Sequence, residues 1–137
     1  MKNSLKFLFS FLIMIGFSCN KTDNSGGGVT TPTESAIAFT VNPDPGIGVV
    51  AALSATQDFN LTISSKLPTA GIKIDLVLTK DLDGSTVFSQ SLTSLSSNIT
   101  ATFQNLVSGV ICTGTITITS ATTSSNYSSK TFKIAKK

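Results

Sequence analysis

Apart from lysine, the side chains of this 137-residue sequence that could gain or lose a proton in chemistry are seven carboxylates, two cysteines and one tyrosine, and histidine is absent. Hydrolysis by a serine triad needs an imidazole or an equivalent base beside the nucleophile, so the many Ser and Thr hydroxyls have nothing to activate them. Glycoside hydrolysis needs two carboxylates facing each other across a cleft. Asp23 and Glu34 instead fall in or at a polar segment near the N-terminus, Asp81 and Asp83 share one hairpin signal, and Asp44, Asp58 and Asp75 are scattered among turn and surface positions. The expectation is a protein that is not an enzyme, with no catalytic residue and no cofactor. Asp81-Leu82-Asp83-Gly84-Ser85 contains the D-x-D-G fragment of a calcium loop. It lacks the third acidic position and the distal glutamate of such loops, and a calcium ion takes six to eight oxygens. The reading is therefore a hairpin turn in which Asp-Gly supplies a positive φ, with no metal site.

Cys19 stands in a different context. Lys2 and Lys6 are followed by an apolar run of eleven residues, Phe7 to Phe17. Roughly 20 apolar residues are needed to span a bilayer, so this run has the length of a secretory h-region. Gly16-Phe17-Ser18 puts small residues at the first and third places before the cysteine, with Ile15 before them. This arrangement resembles the signal of a bacterial lipoprotein. The resemblance implies removal of residues 1–18 and lipidation of the Cys19 sulfur, with a diacylglycerol and a further acyl group, enough chains for firm anchoring. Asn20-Lys21-Thr22-Asp23-Asn24 resembles the Lys- and acid-containing export signals of lipoproteins of Bacteroidota. That implies a protein anchored at the outer membrane by lipid, on the cell surface or the periplasmic face.

Residues 19–34 are rich in Ser, Thr, Asn and Gly, including Gly26 to Gly28, a composition expected of a flexible tether. From Cys19 onward eight lysines and no arginine face seven acids, so most of the formal charge of +3 belongs to the leader. Phosphate binding needs clustered basic residues, which excludes a nucleic-acid partner. Lys136 and Lys137 read as a solvated tail. With Cys19 lipidated, Cys112 has no partner for an internal disulfide, so the fold must rest on its apolar core.

From Ser35 the apolar residues recur with period two, the spacing of half-buried strands. Ile37, Phe39 and Val41 stop at Asn42-Pro43-Asp44-Pro45-Gly46, and Ile47, Val49, Ala51 and Leu53 form a second short run. Phe59, Leu61 and Ile63 follow, then Ile72, Ile74, Leu76 and Leu78, the return strand Val87 to Leu92, and Ile99, Ala101 and Phe103. Cys112, Gly114, Ile116 and Ile118 form an inward row opposite Ile111, Thr113, Thr115, Thr117 and Thr119, and a last strand carries Phe132 and Ile134. Seven or eight short strands separated by turn signals predict an all-β sandwich over residues 35–137. The Asn98–Cys112 segment resembles the corner between strands E and F of fibronectin type III and other immunoglobulin-like domains. Leu106 matches the strand-ending leucine and Gly109 the turn glycine, while Cys112 occupies the place of a tyrosine whose hydroxyl bond it cannot make. Phe59 or Leu61 stands in for the strand-B tryptophan of type III domains. The implied architecture is a single immunoglobulin-like (fibronectin type III-like) β-sandwich of seven or eight antiparallel strands, a fold that serves mainly as spacer, adhesive or recognition module.

Three surface features bear on what such a module would touch. The threonine row suits a solvent-facing strand, and a single row on a twisted sheet is not the flat array that ice binding uses. The Asn42–Gly46 segment is slightly similar to the N-P-x-x-G loop of immunoglobulin-fold protease inhibitors, but the companion G-x-G-G and R-P-W loops are missing. Sugar platforms use exposed Trp or Tyr rings, and the sequence offers only Tyr127, with Asn126 and Ser125 beside it, the alternative for that ring being loop packing. The expected function is a non-enzymatic, lipid-anchored envelope module for binding, adhesion or structure, with a protein or polysaccharide partner. The alternative is an accessory glycan-binding lipoprotein of an outer-membrane uptake system.

Overall fold

The computed structural model describes residues 33–137, which fall in one compact unit, Pro32–Lys137. The leader 1–18, Cys19 and the tether up to residue 32 lie outside the described residues. Glu34, at the end of the tether by sequence, is inside the folded unit.

The unit is all-β. Its strands are β1 (Phe39–Asn42), β2 (Val49–Ala52), β3 (Gln57–Ile63), β4 (Ile72–Lys80), β5 (Thr86–Ser94), β6 (Asn98–Phe103), β7 (Ile111–Ser120) and β8 (Tyr127–Lys136). They form a three-stranded sheet in the order β1-β3-β6 and a five-stranded sheet in the order β2-β8-β7-β4-β5. One apolar core carries side chains from both sheets, which gives a sandwich-like arrangement. The other strand ladders are antiparallel, but β2 runs parallel to β8, from Val49 beside Lys133 to Ala52 beside Lys136, and an isolated parallel bridge joins Ser108 to Lys136. This corrects the expectation of an all-antiparallel sandwich. The prolines at 43 and 45 cannot donate to a ladder, so the chain leaves the first sheet after Asn42 and joins the second without a hairpin reversal.

Four phenylalanines hold the sheets together. The Phe59 ring, fully buried, lies with its centroid 4.9 Å from that of Phe132 and 5.9 Å from that of Phe103. Phe103 meets Phe132 at 5.8 Å, and Phe88 extends the cluster at 6.3 Å from Phe103, the last two edge-on. Gly114 on β7 makes room for this cluster: a Cβ there would stand 3.0 Å from the Phe132 ring. The inward row of β7 also contains Cys112, buried against the core and opposite Ile134 of β8. Burial raises the pKa of its thiol above the ordinary value, so it behaves as a small apolar side chain.

The alternation along β1, β3, β4, β6 and β7 turns the expected residues inward. β2 goes the other way. Val50 pairs with Ile134, and residues paired in a parallel ladder share a face, so Val50 and Ala52 turn toward the core. Ile47, Val49, Ala51 and Leu53, which by sequence resemble the inward rows of the other strands, are all exposed.

Candidate functional site

The β4–β5 hairpin is closed by Gly84 at φ +69°, whose N–H donates to Lys80 O at 2.9 Å, and by Lys80 N–H donating to Ser85 O at 2.9 Å. Its two carboxylates have separate duties. Asp83 Oδ1 accepts the Ser85 N–H at 2.9 Å, a local turn bond. Asp81 reaches across the sheet instead: Oδ2 accepts from Lys133 Nζ at 2.6 Å and Oδ1 from the Thr113 hydroxyl. Lys133 also donates to Thr113 Oγ1 at 2.8 Å. The Lys133 ammonium, seconded by Thr113, holds the Asp81 carboxyl below its ordinary pKa. Among the described residues no three His, Cys, Asp or Glu side chains converge in a way that could hold a metal ion.

The outer faces of both sheets are polar and zipped by cross-strand bonds. On the three-stranded sheet Thr102 donates to Asp58 at 2.6 Å, Thr100 to Asn60 at 3.0 Å and Thr62 to Asn98 at 3.1 Å. On the five-stranded sheet the Thr117 and Ser129 hydroxyls meet at 3.0 Å and those of Thr115 and Thr131 at 3.3 Å, while Ser91 donates to Asp75 at 2.6 Å. The threonine row of β7 therefore belongs to a hydroxyl ladder shared with β8, not to an isolated strand. Side chains bonded to one another across strands stiffen a sheet and have less to offer a ligand.

The three candidate ligand-contact residues are neighbours in sequence but differ in role. Asn126 is a clasp: its Oδ1 accepts the Ile37 N–H at 3.0 Å, and its Nδ2 donates to Ser35 O and to Glu34 Oε2, both at 3.0 Å. Ser120 at the end of β7 foremost, and then Asn126, keep the Glu34 carboxyl below its ordinary pKa. These bonds fasten the point where the chain enters the domain to the β7–β8 loop. Tyr127, 62% exposed, is the first residue of β8 and stands on the surface. Ser125 is exposed in the loop before it.

The surface with uncovered apolar side chains lies at the opposite end. Strand directions place the β7–β8 loop and the entry at Glu34 at one end, and the β4–β5 hairpin, the β6–β7 corner and the C-terminus at the other. Of the large apolar side chains that are exposed among the described residues, all but Leu95 and Tyr127 belong to this far end or to the β2 edge running up to it: Ile47, Val49, Leu53, Leu82, Val107 and Ile111. Backbone bonds join these segments into one neighbourhood. Leu106 N–H donates to Ala55 O at 2.9 Å, Lys137 N–H to Ala52 O at 3.0 Å, and Asp81 N–H to Ile111 O at 3.0 Å. Gly109, at φ +78°, makes the turn between Val107 and Val110 that leaves Val107 outside while Leu106 is buried. The sequence signal for this patch was the stretch from Pro45 to Gln57, which has no charged residue. Its alternation looked like a core strand and concealed its exposure.

No protein-family model matches the chain, and no curated protein matches it in sequence.

Proposed function

We propose that this protein is a lipid-anchored envelope protein whose single immunoglobulin-like domain, of the fibronectin type III kind, acts by surface contact and not by catalysis. The observation that carries the reading is Cys19 behind an eleven-residue apolar leader and ahead of a glycine-rich tether. The domain reading is supported by the strand order β1-β3-β6 against β2-β8-β7-β4-β5. Taking β1 and β2 as a divided first strand, this order fits the reading of an immunoglobulin-type sandwich with strands A, B and E facing the remainder. The buried Leu106, the turn at Gly109 and the buried Cys112 also fit the corner that suggested the family. Contact is favoured over chemistry because the described carboxylates are dispersed or tied to lysine, hydroxyl, amide or backbone partners, and because the far end of the domain carries the apolar side chains. A tether joined at the Glu34 end would leave that far end available to a partner.

The test is Cys19→Ser in the full chain. Membrane association in cell fractionation should be lost while the far-ultraviolet spectrum of the domain is unchanged; retention in the membrane fraction would refute the anchor. A second reading, glycan binding beside an outer-membrane transporter, draws support from the exposed Tyr127 ring next to the hydroxyl-rich outer face. Glycan-array binding that disappears with Tyr127→Ala would favour it.

A further inference from the structure

We infer that the end of the domain where the chain enters is a lipid-contact surface: Leu95 and Tyr127 rest against the bilayer that holds the anchor, and the far end points away from it. The inference rests on the lipidation of Cys19 proposed above. Three turns meet at this end, residues 64–71, 95–97 and 121–126. Ile63 N–H donates to Ser97 O at 2.8 Å and Ala121 N–H to Gly71 O at 3.0 Å, which ties them together. Leu95, at the tip of the middle turn, is 75% exposed. It stands against Gly71, where a Cβ would come within 2.8 Å of the Leu95 Cδ2 atom, so only glycine leaves it room. Ala70, Ile72 and Ala121 line a shallow depression beside it. Tyr127 opens β8 on the same rim. These two are the exposed large apolar side chains that the far end does not account for.

The occupant follows from chain length and charge. Only residues 20–32 separate Cys19 from Thr33, and a flexible chain of that length spans roughly 20 Å root-mean-square. The ten residues of β8 set the far end roughly 30 Å beyond the entry. The entry end is thus the part of the domain held nearest the bilayer. Tethering gives it an effective concentration of about millimolar there, so a contact too weak to recruit a free protein is populated. The three turns carry a single charged side chain, Lys66, and it is exposed. Anionic headgroups attract lysine and repel carboxylates. Among the described residues the one carboxylate at this end is Glu34, half-buried and bonded to Asn126. Asp75, further along β4, is paired with Lys73 at 3.1 Å, while Asp44, Asp58, Asp81 and Asp83 lie toward the far end. A tyrosine, with an apolar ring and a polar tip, suits the boundary between headgroups and acyl chains, and a leucine beside it adds buried apolar area.

The test uses the full, membrane-extracted chain in vesicles of phosphatidylethanolamine and phosphatidylglycerol that carry a nitroxide on some headgroups. A fluorophore is placed on Ser97→Cys at the entry end or on Gln104→Cys at the far end, both exposed positions. A lipidated Cys19 and the buried Cys112 leave the introduced thiol as the one that reacts. In protein that floats with the vesicles, quenching should be several-fold stronger at position 97 than at 104. Leu95→Ser together with Tyr127→Ser should lower the quenching at 97 several-fold without changing the far-ultraviolet spectrum. Lys66→Glu should lower it as well, and only where phosphatidylglycerol is present. Proximity through the tether alone would leave the quenching at 97 unmoved by these substitutions, and that result would overturn the inference. Equal quenching at both positions in floating protein would overturn it too, with the anchor intact. Protein that stays in solution would refute the anchor, and the inference with it.

Discussion

In β3, Phe59, Leu61 and Ile63 point into the core while Asp58, Asn60 and Thr62 face water and bond to β6; in β2, Val49 and Ala51 face water while Ala52 is buried. The two strands are built on the same alternation and lie on opposite sheets. β3 is a central strand, covered on both edges by β1 and β6, and its large side chains fill the gap between sheets. β2 is an edge strand whose orientation is imposed by its register with β8. The contrast teaches that period-two spacing says which residues share a face, whereas the neighbouring strand decides which way that face is turned. It also divides the molecule, since β3 fills the core while β2 and the far end leave apolar side chains uncovered.

Mutations should reproduce that division, most strongly in the aromatic cluster. Phe59→Ala removes the ring that Phe103 and Phe132 pack against and should lower unfolding free energy by about 3–5 kcal/mol in urea titration. Gly114→Ala pushes a methyl against the Phe132 ring and should cost about 1–3 kcal/mol by the same measurement. Asn126→Ala leaves the Ile37 N–H without its acceptor and should cost about 1–3 kcal/mol. Its distinctive sign is faster amide exchange at Ile37, with the β3–β6 pairing unaffected. At the other extreme, Val49→Ser should change stability by no more than about 0.5 kcal/mol. A loss as large as that of Phe59→Ala would mean that β2 faces inward after all, and the contrast between the strands would collapse.

Acid should act on the surface ties and only weakly on the core. Glu34, Asp75, Asp81 and Asp83 all titrate below their ordinary values, held there chiefly by Ser120, Ser91, Lys133 and Ser85 respectively. A carboxylate with a depressed folded pKa binds fewer protons than the unfolded chain does. Its stabilisation is therefore present above the ordinary carboxylate pKa and is lost as pH falls through the lower folded value. The melting temperature should hold from neutrality to about pH 5 and decline below about pH 4. Because these groups are exposed or only half-buried, the decline should be gradual, and Asp81→Asn should flatten part of it.

Much of the fold was legible in the sequence because strands with one buried face carry a regular signal. Phe59, Ile74 and Ile116 each lie in such a row and are fully buried. The turn at Asp83-Gly84 and the corner at Gly109 were equally plain, since positive φ selects glycine. What could not be read was information held by partners distant in sequence. The direction of β2 depends on β8, more than eighty residues later. The role of Asn126 depends on the Ile37 N–H, separated from it by 89 positions. Tyr127 was selected by residue type alone, and its exposure needed the fold. Of the apolar far end the alternation turned only Ile111 outward; the exposure of Val49 and Val107 was hidden because exposed and buried valines carry the same letter.

The proposed envelope role rests on a lipid at Cys19, and intact-mass and peptide mass spectrometry of the protein extracted from membranes tests that proposal most directly. The expected result is a mature chain that begins at Cys19 and carries the mass of a diacylglycerol and a further acyl group. An unmodified thiol at Cys19, with the leader still attached or cut at another position, would contradict it.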